Sequence, residues 1–360
     1  MKKLILSIII TTASLMSHVD AMNQEMHVQD MAVGTSQLNE LVFPVIDLER
    51  LKYLYETCYA DVATTDAFGR ISINKAAIKC NLEIVKYLCE TYNTNVETKD
   101  ADWTQICIAA FKGHLDVVKH LYEEYHVNVE TKDWFGMNPM SFAVLNSNLD
   151  IVKYLYEICH ANVEVKDKYG RTPISYAAIN GNLEIVKYLY ETCHADVETK
   201  DAFGRTPINK AAINGNLEIV KYLYETCNAN VGTKDWYDRT PINIASLKGH
   251  LAVVQYLYET CHANVETKDK LFGSTPINSA SFFGRLEVVK YLYETCHADV
   301  EAKDKHGRTP INIAARYGYL NVVKYLYDTC HAKITDKIVN DVASAEVREY
   351  LQIKLAEQNK

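Results

Sequence analysis

The strongest constraint on this chain is a pattern that returns about every 34 residues. Aligning the aspartate that opens each copy gives Asp66, Asp100, Asp133, Asp167, Asp201, Asp235, Asp269 and Asp304, at intervals of 34, 33, 34, 34, 34, 34 and 35. The eight units run 66–99, 100–132, 133–166, 167–200, 201–234, 235–268, 269–303 and 304–333. A period of this size signals serial repetition of one supersecondary unit. Each unit is too small to bury its own apolar face, so neighbours must stack and share a continuous core.

The unit at 201–234 shows what is repeated. Thr206 is placed to cap a helix, its hydroxyl meeting a free amide of the first turn. Pro207 follows at the first helical position, where a missing N–H costs nothing. Six of the 7 prolines occupy this place: 139, 173, 207, 241, 276 and 310. Ile208, Ala211 and Ala212 form one apolar stripe, thin enough for a neighbouring helix to approach closely. Gly215 ends the helix, as a residue free to take positive φ does. A second helix starts near Asn216, with Leu217, Val220, Leu223 and Tyr224 as its expected buried face and Glu218, Lys221 and Glu225 in water. The segment 228–235 has no helical period and returns the chain to the next copy. The expected fold class is all-α with short hairpin loops, a solenoid of stacked helix-turn-helix units.

The motif TPIxxAAxxGxLEIVKYLxE, preceded by D-x-x-G-R, resembles the ankyrin repeat over about three quarters of the chain. Two departures are systematic. Asn74, Asn209, Asn243, Asn278 and Asn312 stand where the family has His after Thr-Pro-Leu. The usual Gly after the second helix is replaced by Cys followed by His or Asn, one residue longer. Residues 36–65 read as a degenerate N-terminal capping repeat and 334–360 as a C-terminal helical cap with Lys337, Arg348, Glu349 and Lys354 on its outer side. Units 1–3 are the least regular: Ser72 and Gln105 replace Pro, and Cys80 and Ser147 replace the turn Gly.

Ahead of the repeats, Lys2 and Lys3 precede an apolar run at 4–16 that is too short to span a bilayer, with Val19 and Ala21 at the small-residue positions of a cleavage site. Residues 1–21 therefore read as a secretory signal peptide and 22–35 as a flexible linker. The expected destination is secreted or periplasmic. The 46 Asp+Glu against 38 Lys+Arg, a net charge of -8, argue against a nucleic acid or an anionic membrane surface as partner.

Cys159, Cys193, Cys227, Cys261, Cys296 and Cys330 recur at one point of successive units. Equivalent points in stacked helical layers are about 8–10 Å apart, beyond the ~7 Å that a disulfide spans. They are expected to be buried free thiols, while a bridge among Cys80, Cys89 and Cys107 stays open. Free thiols in an exported chain suggest a reducing final compartment, which delivery into a host cell would supply. Five Cys-His pairs invite a metal reading, but adjacent residues at a helix end point apart and cannot converge about four ligands on zinc. No metal or cofactor is expected.

Two sets of positions vary while the framework repeats. One is the hairpin tip, with Phe68, Trp134, Phe135, Tyr169, Phe203, Trp236, Tyr237, Phe272 and His306, and with Arg70, Arg171, Arg205, Arg239 and Arg308 just beyond. These residue types dominate binding hot spots; for the Phe and Tyr at the second tip position, packing against the adjacent hairpin is the alternative reading. The other follows the paired alanines: Ile78, Phe111, Leu145, Ile179, Ile213, Leu247, Phe282 and then Arg316. At 100° per residue, Ile213 lies about 140° from Ile208, off the core stripe, so this row is expected either to line a groove along the stack or to pack between first helices of neighbouring units. In the family that this chain resembles, the tips and the first helices line the binding surface. The resemblance therefore implies a monomeric module that binds a protein partner, with no phosphate-binding Gly loop, nucleophile elbow or HExxH to suggest an enzyme. An inhibitor or targeting subunit of an exported enzyme is the alternative role, and a thiol- or metal-buffering protein a third.

Overall fold

The computed structural model describes residues 82–92, 104–342 and 344–358. The chain divides into 1–60 and 61–360, and all described residues belong to the second part. The leader, the linker, the N-terminal capping segment and the first helix of unit 1 lie outside them, as do Phe68, Arg70, Ile78, Cys58 and Cys80.

Every regular element among the described residues is a helix. In chain order these are α1 (Leu82–Tyr92), α2 (Gln105–Lys112), α3 (Leu115–Tyr125), α4 (Pro139–Leu145), α5 (Leu149–Glu157), α6 (Pro173–Asn180), α7 (Leu183–Glu191), α8 (Pro207–Asn214) and α9 (Leu217–Glu225). They continue as α10 (Pro241–Lys248), α11 (Leu251–Glu259), α12 (Pro276–Phe282), α13 (Leu286–Glu294), α14 (Pro310–Tyr317), α15 (Leu320–Asp328), α16 (Asp336–Asn340) and α17 (Ala345–Gln358). From α2 onward they pair as antiparallel neighbours, and the pairs stack in series. First helices α2, α4, α6, α8, α10, α12 and α14 pack each on the next, and second helices α1 to α15 do the same. The C-terminal pair continues both rows, α16 on α14 and α17 on α15.

Local chemistry sets each boundary. Thr206 and Asn209 form a capping box on α8: Asn209 Oδ1 accepts the Thr206 backbone N–H at 3.1 Å and its hydroxyl at 2.8 Å. Thr240 with Asn243 repeats it, and the Asn243 and Asn278 side-chain amides also donate to Thr267 and Ala302 carbonyls in the extended segment of their own unit. The asparagines in place of the family's His thus tie the helix start to the loop. Gly215 ends α8 at φ 74, and a Cβ there would come within 2.6 Å of His250. That ring lies close because His250 bonds the Ile213 carbonyl at 2.9 Å. Asn216 does the same one junction earlier, donating to the Ala178 and Ile179 carbonyls. At the junctions entered by Asn148, Asn216, His250 and Arg285, the residue before the second helix therefore satisfies carbonyls that the first helix of the preceding unit leaves open.

The core lies where the stripes meet. Ile208, Ala211 and Ala212 are fully buried, as the spacing predicts. Fully burying an isoleucine contributes about 1.5–3 kcal/mol. The second-helix face differs from the expectation. Ile219, Val220, Tyr222 and Leu223 are buried in α9, whereas Leu217 and Tyr224 are half-buried. The reason is a tyrosine ladder across second helices. Tyr222 meets Tyr190 of the preceding helix edge-to-face at 6.3 Å and donates its hydroxyl to Glu191 at 2.7 Å. The same pair of contacts joins Tyr154 to Tyr122 and Glu123, and Tyr291 to Tyr258 and Glu259. A buried phenol needs such a partner, so of the two tyrosines the one whose hydroxyl reaches Glu191 takes the packed position.

Candidate protein-binding surface

The hairpins between helix pairs are built on one buried carboxylate each. Asp167 Oδ1 accepts the Tyr169 and Arg171 backbone N–H groups at 2.8 Å, and Oδ2 receives the Arg171 guanidinium at 2.6 Å. Asp235 and Asp304 hold Arg239 and Arg308 in the same way, at 2.7 Å. Asp201 is paired instead with Lys210 at 2.5 Å, and Arg205 lies 3.9 Å from Asp235 in the next hairpin. Successive tips are then pinned together by single backbone bonds: Lys168 N–H to Phe135 O, Ala202 to Tyr169, Trp236 to Phe203, Lys270 to Tyr237 and Lys305 to Phe272, all within 2.8 Å. The hairpin connecting Asp269 to Ser274 holds one extra residue, which accounts for the 35-residue interval.

This geometry sorts the residues singled out from the sequence. Arg205 is buried, and Arg171, Arg239 and Arg308 are mostly so. They neutralise the aspartates and stack over their own tip aromatics, Arg171 on Tyr169 at 4.9 Å, Arg205 on Phe203 at 5.1 Å and Arg239 on Tyr237 at 4.9 Å. The arginines are framework, a correction to their reading as free binding groups: an ionised carboxylate out of water needs a partner. Phe135, Tyr169, Phe203, Tyr237 and Phe272 are half-buried, and His306 is exposed.

The tryptophans behave differently. Trp134 and Trp236 are 54% and 65% exposed, and they hold the same tip position in two different hairpins. Lys168 extends over Trp134 at 5.2 Å, and Trp236 leans edge-on against Phe203 at 6.0 Å. The Trp236 tip also carries Asp238 at φ 58, where the other described tips have glycine, a costly conformation for a side-chain-bearing residue.

The first-helix row is only partly open. Phe111, Ile213 and Leu247 are buried, so they pack between neighbouring first helices and do not form the expected groove. Leu145, Ile179, Phe282 and Arg316 are half-buried. Phe282 is engaged by Phe272, Phe283 and Tyr317, and Arg316 pairs with Asp341 at 2.7 Å.

A family model described as "Ankyrin repeats (3 copies)" matches the chain at residues 46–133, 106–201, 192–269 and 260–338. The chain belongs to the ankyrin-repeat family. No curated protein matches the sequence. Ankyrin repeats are protein–protein interaction modules, generally without catalytic activity, and in this ankyrin-repeat chain the large apolar side chains that stay in water among the described residues are Trp134 and Trp236 at the tips, Ile158 just after α5 and Ile353 on α17.

The cysteine ladder lies away from those tips. Cys159, Cys193, Cys227, Cys261, Cys296 and Cys330 are buried free thiols, as are Cys89 and Cys107. Burial pushes the Cys193 and Cys227 thiols up to about 12 and those of Cys261 and Cys330 to about 11. The following residue ends the second helix in the left-handed region: His160, His194, Asn228, His262, His297 and His331 at φ 52 to 56. These side chains point into solvent, and among the described residues no three His, Cys, Asp or Glu groups gather to hold a metal. The tyrosine–glutamate ladder escaped the sequence reading. Its signal was present in the recurring KYLYE, whose two tyrosines sit too regularly to be surface filler.

Proposed function

We propose that this chain is an exported ankyrin-repeat protein that binds a protein partner through its hairpin tips and performs no chemistry of its own. The observation that carries this reading is the pair Trp134 and Trp236. Both are held out into solvent at equivalent tip positions, on backbone that neighbouring hairpins fix by hydrogen bonds. Exposed tryptophans on a preorganised frame are suited to act as anchors, because little conformational entropy is lost when a partner covers them. The half-buried Leu145 and Ile179 extend that surface onto the first helices.

The leader at 1–21 supports export, and the buried thiols suit a final compartment that keeps cysteines reduced, as the cytosol of a host cell does. An effector acting on a host protein fits both. The test is capture of partners by the folded chain and by a Trp134→Ala/Trp236→Ala variant. The reading expects a saturable partner whose affinity falls at least tenfold in the double variant, consistent with hot-spot losses of about 2 kcal/mol or more. Equal binding by both would remove the tips from the interface.

A further inference from the structure

A second ladder runs along the extended segments, and among the described residues it has one gap. Glu130 Oε1 accepts the Asn162 backbone N–H of the following unit at 2.7 Å, Glu164 that of Asp196 at 2.8 Å, and Glu198 that of Asn230 at 2.7 Å. Glu266 takes Asp299 N–H at 3.0 Å, and Glu301 takes Lys333 N–H at 2.8 Å. Between Glu198 and Glu266 the corresponding position is Gly232, which supplies no carboxylate to the Asn264 amide. A notch of about 420 Å³ opens there, lined by Gly232, Lys234, Thr240, His262, Asn264 and Thr267 among others.

The glycine is not demanded by the backbone. Gly232 lies outside the left-handed region, and a Cβ on it would meet only the Asn230 side-chain oxygen, at 3.2 Å. Every residue lining the notch is neutral or basic, and Lys234 is exposed and makes no ion pair among the described residues. The segment that bears it continues into exposed Trp236 and left-handed Asp238, so two departures from the framework and an exposed tryptophan fall within seven residues.

We propose that this notch receives a glutamate or aspartate side chain of the protein partner, which accepts the Asn264 N–H as the chain's own glutamates do at the other junctions. Lys234 supplies the opposing charge, and an ionised acceptor makes the hydrogen bond from the Asn264 N–H stronger than a neutral one would. The inference rests on the interaction reading only for the source of the carboxylate; the pocket is tested without any partner.

The experiment follows the Asn264 amide of the full chain by ¹⁵N-resolved NMR during titration with N-acetyl-glutamate N-methylamide and with its glutamine counterpart. One charge-assisted contact implies a dissociation constant on the order of 10–100 mM. The proposal expects a saturable downfield shift of the Asn264 amide with the glutamate probe and a markedly smaller one with glutamine. It also expects that Gly232→Glu places this amide downfield from the start and abolishes the response, with a thermal midpoint no lower than that of the parent chain. An Asn264 amide unmoved through about 100 mM probe, or moved equally by both probes, overturns the proposal. If Gly232→Glu does not fold, the comparison of the two probes on the parent chain decides alone. Failure here leaves the Trp134/Trp236 test standing, and failure of that test leaves this one.

Discussion

Asp133 and Asp167 occupy the same place in consecutive hairpins but have different partners. Asp167 is met by Arg171 and by the Tyr176 hydroxyl at 2.6 Å, whereas at Asp133 the arginine position is taken by Met137 and Oδ2 has no hydrogen-bond partner. Burial, with a smaller contribution from nearby Asp167, raises the Asp133 carboxyl above its ordinary value. Between the unfolded carboxylate pKa and this raised folded value, the native state holds more protons than the unfolded one, so stability falls as pH rises through that interval. Asp133→Asn keeps an acceptor for the Met137 N–H and removes the charge. It is expected to be at least as stable as the parent at pH 7, with the advantage shrinking on acidification toward pH 4. Asp167→Asn strips the charge from a satisfied ion pair and is expected to cost about 2–4 kcal/mol at pH 7. Urea midpoints at both pH values check the pair; a large loss at Asp133 would contradict the assignment. The D-x-x-G-R motif announced these hairpins in the sequence, yet that Arg171 serves the fold was not legible, because charge type says nothing of whether a carboxylate waits 2.6 Å away.

At the scale of the helix pair, periodicity and punctuation were sufficient. Proline at the first helical position, glycine at φ 74 after α8, and the alanine stripe stand where spacing placed them. What spacing missed was Tyr222 against Tyr224, two residues apart on a short helix whose inner face is settled by a hydroxyl finding Glu191 on the helix before. Spacing alone did not settle the row at Ile213, for a related reason: small alanines let first helices approach so closely that side chains well off the stripe are also covered. The same close packing governs the thiols. With Cys159 and Cys193 pushed up to about 12, almost no thiolate exists at pH 8. Iodoacetamide at pH 8 should leave the six ladder cysteines unmodified in the native chain and label all six in urea, read by peptide mass mapping. Fast native labelling at several of them would contradict their burial.

Across the whole stack, stability depends on each unit and on its neighbours. The N-terminal described units carry weaker punctuation. α2 starts at Gln105 where others have proline, and the turn after α4 forces Ser147 to φ 61 where others have glycine. Each such loss costs on the order of 1 kcal/mol. Amides of α2 to α4 are therefore expected to exchange hydrogen faster than those of α6 to α10, and uniform protection along the stack would contradict this. Partner identity was not legible at any scale, since repeats specify a frame and leave recognition to a few tip residues. The direct test of the account is a hydrogen-exchange footprint of the chain with a captured partner bound. The account predicts new protection at the tips around Trp134, Tyr169, Phe203 and Trp236, with the second helices α5, α7 and α9 unchanged; protection confined to those second helices would contradict it.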